Sequence, residues 1–272
     1  MEAVRAISTG YHAAGNVARR ALGGVLVVNF DRPEVPDANV LLHPVVPTAA
    51  VVAEVMRTVG RALAHVDMPA IHVGAAPADP LEARLAVDGW SVELVVDMLL
   101  DGPPAGTPGP VDVRPVRSDA DWASLRQLWR MDHVEEAGRG QRRRVERAVT
   151  DAVVASKRDK QPTLRVWLAS VEGTDAAFIT SWGEPGVGGQ VEDLFTAPSY
   201  RRRGLARALL HHAIADIRAR TDGPVMISGR VGDTPAQLYG RTGFRPVLVR
   251  RIWVDGPAPR PGRGREVSDG GR

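Results

Sequence analysis

Hydrophobic residues follow two periodicities along this chain. Short runs rich in valine, leucine and isoleucine, such as residues 24–30 and 225–228, are typical of buried strands. Segments with apolar residues three and four positions apart, such as residues 48–65 and 205–217, are typical of amphipathic helices. Because the two kinds of segment alternate along the chain, the sequence predicts an α/β protein.

The pattern after residue 110 predicts a series of well-defined elements. Ser118 begins S-D-A-D, an N-cap signal that opens a helix, and a polar break at residues 135–140 should end this helix. The sequence Glu-Gly-Thr-Asp at residues 172–175 predicts the turn of a hairpin. The other predicted elements are a helix at 141–157, a short helix at 235–241, and strands at 111–114, 165–171, 176–182, 191–196 and 245–254.

Residues 101–110, DGPPAGTPGP, interrupt the pattern. Four prolines and three glycines in ten residues can continue neither a helix nor a strand ladder, so this segment is predicted to be a linker. It divides the chain into a domain of residues 1–100 and a domain of residues 111–254. Residues 255–272 contain mainly glycine, proline and charged residues and are predicted to be a disordered tail.

The two halves share a pattern. The segment from Ala70 (AIHVGAAPADPLEARLAVDGWSVELVVDMLL) and the segment from Val225 (VMISGRVGDTPAQLYGRTGFRPVLVRRIWV) have the same succession of features. Each contains a strand, a glycine, a loop, a proline, a short helix, a glycine–aromatic pair and a long strand. The chain is therefore predicted to contain two copies of one αβ unit.

Residues 190–220 (QVEDLFTAPSYRRRGLARALLHHAIADIRAR) combine a strand, a basic loop and an amphipathic helix. The loop, residues 201–206, lies at the predicted helix start, where unpaired N–H groups and the positive end of the helix dipole coincide. A small residue lets a ligand approach this backbone, so the loop is predicted to bind phosphates. The alternative interpretation is an ordinary helix N-terminus with solvated arginines.

Between a strand and an amphipathic helix, R-x-x-G-x-A resembles the acyl-CoA pyrophosphate loop of the GCN5-related N-acetyltransferases (GNAT). A second motif, Pro235-Ala-Gln-Leu-Tyr239 followed by Gly243-Phe244, is similar to the tyrosine helix and the G-F turn of this family. The resemblance covers residues 111–254 well and residues 20–100 in outline. It implies two GNAT-like domains, each with a mixed and mainly antiparallel sheet flanked by helices, and acetyl-CoA as the co-substrate. Family members often have asparagine where this chain has Gly232-Asp233.

By the same resemblance, backbone amides of the loop hold the CoA pyrophosphate, and the preceding strand pairs with the pantetheine amides. In the first copy, residues 43–48 (HPVVPT) contain no arginine or glycine, and two prolines lack the N–H groups that a phosphate needs. The first domain is thus predicted to be a degenerate copy with a structural, substrate-shaping or dimer-forming role. The residues that the resemblance assigns to CoA are Leu194, Phe195, Thr196, Arg201, Arg202, Arg203, Gly204, Leu205 and Ala206.

Three residues are candidates for catalysis. Tyr239 is the expected acid, because a phenol beside the sulfur can protonate the departing CoA thiolate; the alternative is a tyrosine that only packs the short helix. Glu192 and Asp193 lie in V-E-D-L-F, which resembles the polyamine-type members, where the glutamate is the proposed base and the aspartate helps to bind the amine.

Successive strand residues point to opposite faces, so both carboxylates can serve one pocket only if a bulge intervenes. Glu192 is preferred as the base, and a solvated or salt-bridged carboxylate is the alternative for either residue. Trp122 and Trp129 share a helix face and are predicted to be core residues. His133 lies where the resemblance implies the border of the acceptor pocket and could titrate near neutral pH, but it is expected to be a surface histidine without a role. No metal site is expected.

Composition limits the remaining possibilities. The 272 residues contain no cysteine, which excludes disulfides, thiolate metal sites and a cysteine nucleophile. No run approaches the roughly 20 apolar residues of a membrane helix, and the N-terminus lacks the apolar segment of a signal peptide, so a cytoplasmic protein without a membrane partner is expected. The formal net charge is +3, and Lys157 and Lys160 are the only lysines. Acidic residues are interleaved with the arginines, which argues against a nucleic-acid partner.

Together these features predict an N-acetyltransferase that transfers an acetyl group from acetyl-CoA to a primary amine by direct attack. The activity is expected in the second domain, and the acceptor is either a small molecule or a peptide amine. The alternative is a non-catalytic acyl-CoA sensor or interaction module that keeps the loop without acceptor chemistry. A nucleic-acid-binding protein is a more distant alternative, and a homodimer is left open.

Overall fold

A computed structural model describes residues 1–74, 78–140, 146–232 and 235–256 of the chain. Its helices are α1 (Glu2–Ala13), α2 (Ala49–Ala62), α3 (Asp79–Val87), α4 (Asp119–Gly138), α5 (Arg147–Asp159), α6 (Leu205–Arg218) and α7 (Pro235–Thr242). Its strands are β1 (Val17–Ala21), β2 (Gly24–Val28), β3 (Val40–Leu42), β4 (Ala70–Val73), β5 (Ser91–Leu100), β6 (Asp112–Pro115), β7 (Leu164–Val171), β8 (Thr174–Glu184), β9 (Gly188–Thr196), β10 (Val225–Arg230) and β11 (Arg245–Val254).

The described strands form one sheet in the order β1-β2-β3-β4-β11-β5-β10-β9-β8-β7-β6. The pairs β3–β4 and β9–β10 are parallel and the other neighbours are antiparallel. The predicted mixed, mainly antiparallel α/β fold is confirmed. The structure differs from the prediction in one respect, because the two halves share a single sheet instead of having one each.

The sharing arises from an exchange of final strands between the halves. β5, the last strand before the linker, pairs with β10 of the second half, from Val225↔Leu100 to Arg230↔Val95. β11, the last strand of the second half, pairs with β4 of the first half and with β5. Residues 101–110 contain no helix or strand. They lie between the two halves of the chain, but the strands of both halves belong to one sheet.

A buried ion-pair network joins four strands at this exchange. Arg250 of β11 donates from Nε to Asp97 Oδ2 of β5 at 3.0 Å and from Nη2 to Asp97 Oδ1 at 2.9 Å. Ser228 of β10 donates to Asp97 Oδ1 at 2.8 Å, and Arg250 Nη1 lies 2.8 Å from Nδ1 of His72 in β4. Burial and the charge of Arg250 lower the pKa of His72 well below its usual value, so its neutral ring accepts the hydrogen bond.

Helices cover both faces of the second half of the sheet. α6 packs on one face, with Leu209 and Ile217 against Val191 and Ile227. α1, α4 and α5 pack on the other face, so a helix from the first half contributes to the core of the second. The predicted core positions of Trp122 and Trp129 are confirmed. This second core includes Ile7, Tyr11, Trp122, Leu125, Trp129, Phe178 and Phe195.

Local predictions in the second half are mostly confirmed. Ser118 forms a capping box with Asp121, which confirms the predicted start of α4. The hairpin is also confirmed, because φ is positive at both Glu172 (51°) and Gly173 (77°), as a two-residue type I′ turn requires.

Other boundaries differ from the prediction. The predicted break at residues 135–140 is wrong, because α4 continues to Gly138 and the Glu135 and Glu136 side chains of its last turns pair with arginines outside the helix. β1 was not predicted; it is an exposed edge strand with little apolar patterning. The predicted start of the 141–157 helix and residues 257–272 of the predicted tail lie outside the described residues.

Candidate active site

A cleft opens in the sheet where β9 and β10 part. Their parallel pairing runs from Gly189↔Val225 to Val191↔Ile227. Beyond these pairs, the remaining residues of both strands line a cleft of about 1340 Å³. This volume exceeds the roughly 300–1,000 Å³ of a typical small-molecule pocket, so the cleft has room for a large cofactor together with a second substrate.

The basic loop meets the cleft at the N-terminus of α6. Gly204, the N-cap, has a φ of 85°, and Arg202 has a φ of 66°. The N–H groups of the first helical turn have no acceptor within the helix, and Leu205 and Ala206 of this turn line the cleft. With the positive end of the helix dipole at the same place, this end of the cleft is suited to an anion.

The three loop arginines have different surroundings. Arg201 donates from Nε to the carbonyl oxygen of Thr196 at 2.9 Å and from Nη2 to Glu135 Oε2 at 2.6 Å, so it fastens the loop to β9 and α4. The hydrogen bond from Arg201 lowers the pKa of Glu135. Arg203 lies over the ring of Tyr200, 5.4 Å from its centre, and does not line the cleft. The other predicted CoA-binding residues all line it: Leu194, Phe195, Thr196, Arg201, Arg202, Gly204, Leu205 and Ala206.

A β-bulge brings Glu192 and Asp193 to the same cleft. Opposite β9, Phe178 pairs with Phe195 and Thr180 pairs with Glu192, so one residue of β8 faces two of β9. Asp193, inside the bulge, has a φ of 58°. Its carboxylate accepts a hydrogen bond from Thr180 Oγ1 at 2.8 Å, whereas Val191 packs on the opposite side of the sheet with α6. The bulge is the condition under which both carboxylates can serve one pocket, and both line the cleft.

The two carboxylates are in different electrostatic states. Burial and the charge of Asp193 raise the pKa of Glu192 to about 8. Gln190 Nε2 donates to Glu192 Oε1 at 2.5 Å. The carboxylate of Asp193 instead forms an ion pair, because its Oδ2 lies 2.7 Å from the ammonium of Lys157. Glu192 can therefore exchange a proton near neutral pH, while Asp193 is held in an ion pair.

Sequence reasoning missed a group of residues behind these carboxylates. Lys157 donates to the Tyr11 hydroxyl at 2.7 Å, and Lys160 donates to the Tyr11 carbonyl oxygen at 2.7 Å. Both lysines are buried. Burial and the charge of Lys157 lower the pKa of Lys160 to about 7. The sequence contains a signal for the burial of Lys157, because this residue follows Val153 and Val154 at helical spacing on the buried face of α5.

Tyr239 lies on α7 and lines the same cleft as Glu192 and the basic loop. Its side chain is only 6% exposed and packs edge-on to Phe244, with 6.4 Å between the ring centroids. The ring also lies against Gly229 of β10. The geometry thus combines a packing role for the ring with a position in the cleft, and the acid role of the hydroxyl stays a prediction. Asp233, which stands near the family's asparagine position, lies outside the described residues.

His133 was expected at the surface, and this expectation is wrong. The side chain is buried, and its Nδ1 lies 2.9 Å from Thr150 Oγ1 of α5. The hydrogen bond links α4 to α5, and His133 is one of the residues that line the cleft.

Residues of the first half form part of the cleft wall. Tyr11 and His12 of α1, Asp37 in a 3₁₀ turn and Glu93 of β5 all line it. Burial lowers the pKa of His12 to about 3, so its ring is neutral; it donates from Nδ1 to the carbonyl oxygen of Ser8 at 2.7 Å. The cleft is consequently lined by residues of both halves of the chain.

At the corresponding place in the first half, the pairing of β3 with β4 continues past the last residue of β3. His43 has a φ of 52°, and its N–H donates to the carbonyl oxygen of His72 at 2.8 Å, which extends the strand pairing by one residue. The His43 ring lies against Gly74, where an added Cβ would be 3.1 Å from Nδ1. The backbone and the ring of His43 thus lie beside the end of β4.

The described part of the chain contains neither a group of metal ligands nor a membrane helix. Among these residues, no three or more histidine or carboxylate side chains are grouped so that they could hold a metal ion. Over the same ranges, no helix combines the length and the apolar character needed to cross a membrane.

Comparisons with known proteins agree with the geometry of the site. Residues 162–246, which include β9, the basic loop, α6 and Tyr239, match the family model described as acetyltransferase (GNAT) domain. No curated protein matches the chain.

Several solved structures have a similar fold. A conserved protein of unknown function from Staphylococcus epidermidis has a TM-score of 0.66 at 10% identity, with 87% of this chain and 92% of that chain covered. A GCN5-related N-acetyltransferase from Kribbella flavida has a TM-score of 0.63 at 15% identity, with 93% and 95% covered. Another from Sphaerobacter thermophilus has a TM-score of 0.54 at 17% identity, with 87% and 81% covered. Residues 162–246 are thus similar to a GNAT acetyltransferase domain, and the solved structures, at 10–17% identity, show that the chain shares their fold.

Proposed function

We propose that the protein is an N-acetyltransferase that transfers the acetyl group of acetyl-CoA to a primary amine by direct attack. One observation carries the proposal: an anion-binding helix N-terminus, the parted strands β9 and β10, a titratable carboxyl group at Glu192 and the phenol of Tyr239 all line one cleft. In this arrangement the pyrophosphate lies at residues 202–206, and the pantetheine follows β9 toward the carboxylates.

The chemistry needs a base and an acid on opposite sides of the thioester. The amine must first lose a proton, which Glu192 accepts directly or through a water molecule. The neutral nitrogen then attacks the carbonyl carbon, the C–S bond breaks, and the departing thiolate takes a proton from Tyr239. The second proton, which the nitrogen loses as the amide forms, returns through water to the tyrosinate. Glu192 suits the first step because its pKa of about 8 lies close to neutral pH.

Asp193 is the poorer candidate for the base. Its carboxylate is engaged by Lys157 at 2.7 Å and by Thr180 at 2.8 Å, so taking up a proton would break a buried ion pair. In this proposal Asp193 shapes the electrostatics of Glu192 and does not itself accept a proton. The first half of the chain contributes Tyr11, His12 and Asp37 to the acceptor side, which gives it a substrate-shaping role.

Two measurements test the function together. Acetyl-CoA should raise the melting temperature of the protein, because a ligand that binds only the folded state stabilises it. Release of the free CoA thiol should then depend on the presence of an amine, tested across small amines, amino acids and peptide N-termini. Binding without turnover on any amine would favour an acyl-CoA sensor, and failure of acetyl-CoA to bind would contradict both functions.

A further inference from the structure

The two lysines of the chain lie side by side in the interior. Of the 35 lysine and arginine residues, only Lys157 and Lys160 are lysines. Both lie at the end of α5, with their ammonium groups 5.4 Å and 4.2 Å from the centre of the Tyr11 ring. An ammonium is a compact charge whose donors diverge, whereas a guanidinium is a wide planar fork. Arginine is the usual cation of this protein, whereas Lys157 lies between two acceptors that suit a compact ammonium.

Lys157 connects three elements around Asp193. Its ammonium donates to Asp193 Oδ2 of β9 at 2.7 Å and to the Tyr11 hydroxyl of α1 at 2.7 Å, and its side chain is only 4% exposed. Burial alone would lower the pKa of Lys157, but the contacts with Asp193 and Tyr11 raise it well above its usual value. The ammonium therefore stays charged, and Asp193 has a permanent counter-ion.

This ion pair acts on the residue at which β9 leaves regular strand geometry. Asp193 has a φ of 58°, a left-handed conformation that is unfavourable for a non-glycine residue. The side chains on either side of it show the effect: Val191 and Leu194 pack on the face of α6, whereas Phe195 packs on the face of α4. In a regular strand Asp193 would share the face of Val191. The contacts with Lys157 and Thr180 thus favour the bulged form, in which Asp193 faces α5.

We propose that Lys157 is a positioning residue for the acetyl transfer: its ion pair with Asp193 holds the bulge of β9, which turns Asp193 onto the face of Glu192 and places both carboxyl groups in one cleft. The inference rests on the proposed function for its catalytic meaning, but the structural link between Lys157 and Glu192 does not depend on turnover. Tyr11 completes the arrangement from the first half of the chain by accepting a second hydrogen bond from the same ammonium.

The ion pair also sets the charge that Glu192 experiences. Asp193 disfavours the ionised form of Glu192 and Lys157 favours it. Loss of Lys157 would leave Asp193 as an uncompensated neighbour, so the Glu192 proton would be held more tightly. The ionisable groups that act on Glu192 from the elements around it are Asp193 on β9, Lys157 and Lys160 on α5, Tyr11 on α1 and Asp37 in the 3₁₀ turn.

The test compares Lys157→Met, Lys157→Arg, Asp193→Asn and the double variant Lys157→Met/Asp193→Asn with the natural protein. The Glu192 pKa is measured from carboxyl ¹³C chemical shifts, with the spectrum of Glu192→Gln identifying the signal. It should rise by about one unit or more in Lys157→Met, as expected for the loss of a nearby opposite charge. It should fall in Asp193→Asn, and Lys157→Arg should keep it close to the natural value because the charge remains.

Turnover is the second readout. Lys157→Met should lower kcat about 10²-fold through misplacement of Asp193 and the altered charge beside Glu192, with the acetyl-CoA Kd unchanged because the basic loop is separate. Should Lys157→Met fail to fold, the double variant, which buries no unpaired charge, provides the comparison, with kcat reduced to a similar extent. An unchanged Glu192 pKa and an unchanged kcat in Lys157→Met would overturn the proposal. If the natural protein acetylates no amine, the proposed function fails, while the ¹³C titration still decides the role of Lys157.

Discussion

Gly204 and Gly89 have nearly the same φ angle, 85° and 83°, although they lie in different parts of the fold. An added Cβ would meet no atom within 4 Å at either position. Gly204 begins α6 and lines the cleft, whereas Gly89 lies in the turn between α3 and β5. The same substitution at both positions therefore distinguishes the effect of a side chain on a left-handed backbone from the effect of blocking the proposed anion site.

Gly204→Glu should abolish acetyl-CoA binding, because the new carboxylate would lie where the pyrophosphate is expected. Isothermal titration calorimetry with acetyl-CoA measures the effect. Gly89→Glu is the matched control: it introduces the same residue at the same φ, should cost a similar amount of the order of 1 kcal/mol in stability, and should bind acetyl-CoA normally. Retained binding in Gly204→Glu would show that the loop does not hold the cofactor.

Tyr239→Phe should lower kcat about 10²-fold, as expected for the loss of a positioned acid, and leave the Kd for acetyl-CoA unchanged. The ring would keep its contact with Phe244, so the melting temperature should change little. Steady-state release of the CoA thiol gives kcat. Tyr200→Phe, which alters a second tyrosine of the cleft, should retain turnover; equal losses in the two variants would argue against a specific acid role for Tyr239.

The rate should depend on pH through Glu192. Burial and Asp193 raise its pKa to about 8, and the base acts in its deprotonated form, so kcat/KM should increase as pH rises toward 8 and become level above it. The acceptor used for this profile should have an amine pKa far from 8. In Glu192→Gln the rate should be low and this inflection should disappear. An inflection that persists near pH 8 in the variant would assign it to another group.

Asp97→Ala should destabilise the protein by about 3–5 kcal/mol, because it leaves the buried guanidinium of Arg250 without its counter-ion. The side chains of the pair are 4% and 0% exposed. The exposed pair Arg126–Asp151, with 51% and 56% exposure, provides the control. Asp151→Ala should cost less than about 1 kcal/mol. Urea unfolding measures both changes, and a small effect at Asp97 would mean that the network does not stabilise the strand exchange.

The sequence predicted those parts of the fold that short-range patterns determine. The capping box at Ser118, the turn at Glu172-Gly173 and the strand over residues 245–254 depend on neighbouring residues, and all three are present. The basic loop and Tyr239 were assigned to CoA binding and to catalysis from their motifs, and in the structure both line one cleft.

The strand exchange could not be predicted in this way. β5 and β11 end their halves with similar apolar patterns, so neither sequence specifies whether its partner is the preceding strand of its own half or of the other. The choice depends on long-range groups such as Asp97 and Arg250, which are far apart in the sequence. The sequence raised a bulge near Asp193 only as a condition, because no glycine marks its left-handed residue and the lysine that pairs with Asp193 lies in α5.

The exchange of final strands also changes what the exposed segment at residues 101–110 does. A cut in this segment would divide the covalent chain, but each fragment would still hold a strand of the other: β5 beside β10, and β11 beside β4. We therefore expect residues 1–100 and 111–256, produced as separate polypeptides, to assemble by fragment complementation. Neither piece alone would have a complete sheet, so the two halves can be separated in the gene but not in the folded protein.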